Sequence, residues 1–223
     1  MLLSYSQLFS KVVDAGVLEG IPDLTNVNGS SIDITLGSTL LVEQFPKLTC
    51  PSCGHTQEAE AEVDLGSKVQ RSKSITCYSC LRGFPLYDWV ALVDFSKKQP
   101  LTMREVDCTN GFVLWPGDVC LAHSVEVFNL PMNMTAEYRL KSSQGRVFLE
   151  HLHAGWCDPG WNGSVLTLEF KNESKHHPLI LRSGIKCGQV MFYTHDPVPE
   201  DKSYAVRGQY NNDKTATASK GMK

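Results

Sequence analysis

The chain has 223 residues, 42% hydrophobic and 20% charged, with 11 Pro and 17 Gly, an ordinary globular composition that excludes a disordered, collagenous or coiled-coil protein. Its net charge of −3 gives no electrostatic reason to expect duplex DNA or an anionic membrane as partner. No apolar run approaches the ~18–20 residues of a membrane helix, and Met1-Leu2-Leu3-Ser4-Tyr5-Ser6 has no basic region before an apolar one, so neither a membrane span nor a secretory signal is expected.

The predicted elements begin with a helix from Ser4 to Gly16. Leu8, Phe9, Val12 and Val13 fall on one face, Ser4 or Ser6 can cap the start, and Gly16 can end it. The period then changes to two, where Ile32, Ile34 and Leu36 alternate with Asp33 and Thr35 as in a strand. Further strands are predicted over 112–115, 119–128, 136–140, 165–170, 179–181 and 188–193. Turn signals separate them: Pro116-Gly117-Asp118, Asp158-Pro159-Gly160, Asn162-Gly163 and Ser183-Gly184. Many short strands with close turns predict a mainly all-β fold, a barrel or jelly roll with an N-terminal helix. From Lys202 the chain is polar and weakly patterned, and 202–223 reads as a flexible arm.

Eight cysteines divide into two groups. Cys50-Pro51-Ser52-Cys53 is followed, after 23 residues, by Cys77-Tyr78-Ser79-Cys80. Each C-x-x-C forms a tight knuckle presenting two thiolates, and two knuckles close a tetrahedral site suited to zinc. A redox-active C-x-x-C needs only one pair and leaves the second unexplained. Four thiolates fill the metal's shell, so the ion is structural and staples an insertion at 46–85 that is too short for a sizeable core. The zinc-dependent base deaminases carry H-x-E, which is absent here. Lys68, Arg71 and Lys73 between the knuckles are balanced by Glu58, Glu60, Glu62 and Asp64, a solvated surface rather than a nucleic-acid face. Cys108, Cys120, Cys157 and Cys187 are scattered singly and read as small buried hydrophobes. His151, His153, His176 and His177 form no ligand spacing and read as ordinary residues.

Four segments in order carry a more specific signal. They are Asn28-Gly29-Ser30-Ser31-Ile32-Asp33-Ile34-Thr35-Leu36-Gly37, Leu140-Lys141-Ser142-Ser143-Gln144-Gly145-Arg146, Ala154 to Gly163 running into Leu166-Thr167-Leu168-Glu169-Phe170, and Gly184-Ile185-Lys186-Cys187-Gly188-Gln189-Val190. Together with the strands from Phe112 to Pro131 they resemble the dCTP deaminase family of the trimeric dUTPase-like superfamily. The resemblance spans most of the chain outside roughly 46–95. It implies a dUTPase-like distorted β-barrel built from 1–45 and 86–201, with 46–85 as a zinc-ribbon insertion and 202–223 closing over the nucleotide.

Hydrolytic deamination of cytosine needs a water activated by a base and a proton for the departing ammonia. In a strand, Thr167 and Glu169 share one face while Leu166 and Leu168 share the other, and a partly buried carboxylate suits a group that cycles a proton. On pattern alone Glu169 is equally an exposed strand residue paired to a lysine, Arg146 a surface ion pair, Ser142 and Ser143 a helix cap, and Asp158-Pro159-Gly160 a hairpin turn. The resemblance implies that Glu169 is the acid/base, with Arg146 and Ser142 holding the water or oxyanion, and that no metal performs the chemistry. It makes Asp158 a sugar-hydroxyl acceptor and sets Trp161 near the deoxyribose. It implies phosphate contacts from Lys141, Ser143 and Gln189, and it makes Tyr204 and Gln209 parts of the closing arm. Lys141 stands where the family often has arginine, a point charge in place of a bidentate fork.

The expected reaction converts dCTP, or dCMP, to the deoxyuridine nucleotide and ammonia, with magnesium accompanying the phosphates. A homotrimer with active sites shared between subunits is implied, in the cytoplasm, or in the host cytoplasm if a virus encodes the chain. Two alternatives stand beside it. One is a dUTP pyrophosphatase, or a bifunctional enzyme yielding dUMP. The other is a non-enzymatic protein that binds through its zinc ribbon.

Overall fold

The computed structural model describes residues 1–44, 47–58, 73–90, 93 and 101–221. The chain forms two compact units, Met1–Val42 with Arg104–Ala218, and Glu43–Met103 with Ser219–Lys223.

The first unit opens with a short helix, α1 (Tyr5–Leu8), in which the Ser4 N–H donates to Gln7 Oε1 at 3.0 Å and supplies the cap. The helical path continues through a wider π turn over Phe9–Val13 and ends near Gly16, whose φ of +67° only glycine adopts without cost. Leu8 and Val12 are fully buried, as the helical spacing requires. Thereafter the unit is all β. Its strands are β1 (Leu18–Glu19), β2 (Ile32–Thr35) and β3 (Thr39–Glu43), then, beyond four short strands of the second unit described below, β8 (Met103–Asp107), β9 (Phe112–Leu114), β10 (Val119–Asn129) and β11 (Met134–Leu140). A one-turn helix, α2 (Ser142–Gly145), leads to β12 (Leu149–His151), β13 (Trp156–Cys157), β14 (Asn162–Asn172), β15 (Leu179–Leu181) and β16 (Lys186–Thr194). A final turn, α3 (Tyr204–Arg207), begins the C-terminal segment.

Two sheets carry the architecture. One has the order β12-β14-β10-β3-β8, with β1 also on β10, and the other β13-β11-β16-β2; β9 and β15 form a separate ribbon. The pairs β10–β14 and β11–β16 are antiparallel, with Ala122 opposite Leu168 and Tyr138 opposite Val190. Ile32 and Ile34, Ala136 and Tyr138, Val190 and Phe192 from one sheet meet Ala122, Phe128, Leu166, Leu168 and Phe170 from the other in a single buried core. Cys108, Cys120, Cys157 and Cys187 are buried in that core, and burial raises all four thiol pKa values, that of Cys120 to about 12. The mainly β fold expected from period-two patterning is therefore present. β1, β3, β8, β12 and β13 carried no clear alternation in the sequence.

The second unit holds β4 (Leu48–Thr49) paired with β5 (Thr56–Gln57), and β6 (Ser74–Thr76) paired with β7 (Gly83–Pro85). Its small core is Leu48, Cys50, Cys77, Leu86 and Trp89, with Phe84 packed edge-on against Trp89. This core explains why the unit runs past the boundary at 85 set from the cysteines: Leu86 and Trp89 anchor its far side and are 1% and 2% exposed. Glu60, Glu62, Asp64, Lys68 and Arg71 of the intervening loop lie outside the described residues.

The segment from Lys202, expected to be a flexible arm, is tied to its own chain along β14. Val165 N donates to Asp213 O at 2.9 Å, Asn212 N to Asn162 O at 3.1 Å, and Ser164 Oγ to Tyr210 O at 2.7 Å. Ala216 is buried, and Thr217 N donates to Thr167 Oγ1 at 3.2 Å. The physical reason is the backbone. Beyond the single turn of α3, this polar, weakly patterned stretch satisfies backbone N–H and C=O groups along β14.

Candidate active site

β14 turns alternate side chains to opposite faces. Leu166, Leu168 and Phe170 enter the core, and Thr167, Glu169 and Lys171 face away from it, half-buried. The Glu169 side chain is 24% exposed, and its neighbour is a histidine rather than a lysine: Glu169 Oε2 lies 3.2 Å from His151 Nε2. His151 arrives from β12, paired alongside β14 with His151 opposite Phe170. Its ring is buried, 4.6 Å from the Tyr138 ring and 6.1 Å from that of Phe170. Although close, Nε2 and Oε2 are not aligned as a hydrogen bond, and both are buried polar atoms without another partner. An unmet buried polar atom costs about 1–3 kcal/mol, so such a pair marks a place where something besides stability has been arranged.

Tyr138 sits where two glycines admit it. A Cβ on Gly188 would lie 2.1 Å from the ring, and one on Gly155 would lie 2.6 Å from the Tyr138 carbonyl oxygen. The phenol donates to Cys187 O at 2.8 Å, and burial pushes its pKa up, keeping it neutral. Beside it opens a cavity of about 420 Å³ whose walls include Tyr138, Leu140, Glu150, His151, Gly155 and Trp156.

α2 presents the second group of residues. Lys141 precedes it, Ser142 and Ser143 are its first two residues, and Arg146 follows it. Ser142, Ser143 and Arg146 are exposed, and no hydrogen bond or ion pair joins Ser142 or Arg146 to Glu169 within the chain. Lys141 Nζ instead binds Asp33 Oδ1 at 2.6 Å, and Lys186 Nζ lies 3.4 Å from Asp33 Oδ2. Asn28 Nδ2 also donates to Asp33, at 2.9 Å, so this buried carboxylate is well compensated. Gln189 stands opposite Asp33 on β16 and accepts from Ser31 Oγ at 3.3 Å. The structure thus gathers Lys141 and Gln189, and adds Lys186, which the sequence did not single out.

A third group surrounds the turn after β13. Asp158 is exposed, and its Oδ1 accepts from Trp156 Nε1 at 3.0 Å. Gly160, at φ +83°, completes the turn, and Tyr204 N donates to Pro159 O at 2.8 Å. Trp161, expected beside a sugar, is buried against Phe128 at 5.1 Å, and its Nε1 donates to Tyr210 O at 2.8 Å. It is Trp156, 62% exposed on the cavity wall, that offers an indole face to solvent. Gln209 lies in the segment after α3, half-buried. His151 and Trp156 were missed because a lone histidine and a lone tryptophan carry no spacing signal; strand pairing brings His151 to Glu169, whereas Trp156 stands two residues from Asp158 and only its exposure is set by the fold.

In the second unit the Sγ atoms of Cys50, Cys53, Cys77 and Cys80 lie within 4.8 Å of one another, with Cys50–Cys80 and Cys53–Cys77 both at 3.7 Å. Four sulfurs at ~2.3 Å from one tetrahedral ion are ~3.8 Å apart, so these thiols fit a single closed metal centre. Each knuckle is shaped by backbone bonds, Gly54 N to Cys50 O and Leu81 N to Cys77 O, both 2.9 Å. Burial opposes the Cys50 thiolate, but the N–H groups of Cys53 and Ser52 outweigh it and bring its pKa down to about 7.

The fold and this geometry define a β protein with a half-buried strand carboxylate against a histidine of a cavity wall and, in a separate unit, a four-thiol centre. A family model described as dCTP deaminase-like matches residues 84–195. The chain is 37% identical over 147 residues to the dCTP deaminase, dUMP-forming, of Beutenbergia cavernae, covering 62% of this chain and 75% of that protein. It is 35% identical over 112 residues to the protein of the same name from Methanosphaerula palustris, covering 50% and 59%. The crystal structure of 2′-deoxycytidine 5′-triphosphate deaminase from Agrobacterium tumefaciens shares the fold at TM-score 0.55 and 20% identity, over 87% of this chain and 48% of that one. The chain belongs to the dCTP deaminase-like family.

Proposed function

We propose that the protein is a deoxycytidine nucleotide deaminase that hydrolyses the cytosine amino group of dCTP. The observation that carries the reading is Glu169, a half-buried carboxylate against His151 of the cavity wall, in a chain of this family. Glu169 takes a proton from water as the water oxygen bonds to C4 of the cytosine. The carboxylate delivers that proton to the ring nitrogen N3, and then carries the second proton, taken from the new C4 hydroxyl, to the exocyclic nitrogen. The C4–N bond breaks, ammonia leaves and the uracil carbonyl forms. Ser142 and Arg146 hold the attacking water and the developing oxyanion. Lys141, Ser143 and Gln189 contact the phosphates, whose charge magnesium screens, and Asp158 accepts from the sugar hydroxyl. Tyr204 and Gln209 belong to the closing segment, and Trp161, set near the deoxyribose, donates its indole N–H to Tyr210 O of that segment.

Shared sites in a homotrimer complete the reading. Ser142, Ser143 and Arg146 are exposed and unlinked to the Glu169 of their own chain, and next to them Val147, Phe148 and Leu152 leave large apolar side chains in solvent. A neighbouring subunit would cover these and bring its own Glu169 to Arg146. The four-thiol centre would hold zinc, which would supply a cross-link in a unit with a small core.

The test is incubation with dCTP and magnesium, with dCMP and dUTP in parallel, measuring ammonia and uracil nucleotides. Ammonia with dUTP supports the reading, and no turnover of either cytosine nucleotide overturns it. The relatives named dUMP-forming favour a second outcome, in which pyrophosphate is also released and dUMP accumulates.

A further inference from the structure

One polar contact at the site has no part in the scheme above. His151 is 4% exposed, in contact with the Tyr138 ring on one side and near Phe170 on another, so its imidazole has little freedom to turn. Its backbone is held as well, since His151 N donates to Glu150 Oε1 at 3.0 Å. Of the polar atoms this ring carries, Nε2 faces Glu169 Oε2 at 3.2 Å, and neither atom has another partner. Two orphaned buried atoms of opposite hydrogen-bonding character, this close, need only a small rotation of the glutamate side chain to satisfy each other.

We infer that His151 is the positioning residue of Glu169: its Nε2–H donates to Oε2 when substrate closes the site, fixing the carboxylate rotamer and leaving Oε1 to take the proton of the attacking water. The inference rests on the deaminase reading and deepens it. The carboxylate has a backbone set by β14, but its three side-chain torsions are otherwise free. A general base must sit within hydrogen-bond reach of one particular proton, and His151 removes that freedom. Gly188 serves the same end at one remove, because it makes the space for the Tyr138 ring that flanks the imidazole, and Gly155 lets the backbone approach the Tyr138 carbonyl.

The test compares His151→Phe, which keeps a ring without a donor, with His151→Gln, whose amide N–H reaches near the Nε2 position. In His151→Phe, kcat falls on the order of a hundredfold with KM nearly unchanged, and His151→Gln recovers most of the loss. Equal kcat in His151→Phe and the parent, or equal loss in both variants, overturns the inference. Nitrogen NMR of the imidazoles supplies a reading independent of turnover. Among the seven histidines, the His151 signals, assigned with His151→Gln, show a proton on Nε2 in the parent and change in Glu169→Ala. Unchanged signals overturn the inference, whether or not His151→Phe folds. If the parent turns over neither dCTP nor dCMP, the deaminase reading falls and the nitrogen signals alone decide whether the histidine holds the carboxylate.

Discussion

Glu126 illustrates what burial does to a carboxylate that its hydrogen bonds compensate only in part. It is fully buried, and both its oxygens lie 3.1 Å from the same Thr35 N–H. Burial raises its pKa, against the lowering effect of hydrogen bonds from Thr35 and from its own backbone. A raised folded-state pKa means that the protein's stability from this group is complete below the ordinary glutamate range. It is lost as pH rises through that range to the folded value. Thermal melts across mildly acidic to neutral pH should therefore show a declining midpoint that Glu126→Gln flattens; parallel slopes for the two proteins would refute this. At the candidate site, Glu169→Gln should still bind dCTP, because the amide fills the same volume, but lose turnover by ~10²-fold or more. Equilibrium binding and ammonia release on one preparation measure both. Gly188→Ala should destabilise by about 1–3 kcal/mol in chemical denaturation, since its Cβ has no room beside the Tyr138 ring.

At the level of elements, β14 does most to organise the site, because one strand contributes core on one face and chemistry on the other. Leu168→Ala should cost about 2–5 kcal/mol by denaturant unfolding, as its side chain is fully buried between the sheets. The alternation of Leu166, Leu168 and Phe170 with Thr167 and Glu169 was legible in the sequence, because the period of a strand is set by backbone geometry. β12 and β13 were not legible. At three and two residues they are too short to show a period, and their existence depends on the longer strands they pair with. The cysteine knuckles stand at the other extreme. Their spacing alone specified four converging thiols, because each loop is closed by its own local backbone bonds. Chelation should release about one zinc per chain and expose the four thiols to a thiol-reactive dye; a dye count unchanged by the chelator would remove the metal from the account.

For the whole molecule, the arrangement of Arg146 and Glu169 is decisive, because they are not joined within one chain. Arg146→Ala and Glu169→Gln should each be inactive alone. If neighbouring subunits share the site, mixing and re-associating the two variants should restore roughly a quarter of the sites. No recovery after verified subunit exchange would place both residues of a site in one chain. The C-terminal segment belongs to this scale too. Its residues looked unpatterned because they pack through backbone groups and single side chains, such as Ala216 and the Tyr210 carbonyl on Trp161, which leave no periodic trace.

What the chain's own order of residues determined was local: the strand period, the turns, the cysteine knuckles and the carboxylate between two apolar neighbours. Each depends on residues a few positions apart, whose geometry the backbone dictates directly. The tertiary structure alone decided that His151 lies against Glu169, that Trp161 is buried on Phe128, and that Leu86 and Trp89 belong to the thiol-bearing unit. Those contacts are made by pairing and packing between distant segments, and their distances are set by sheet register and core volume rather than by spacing along the chain.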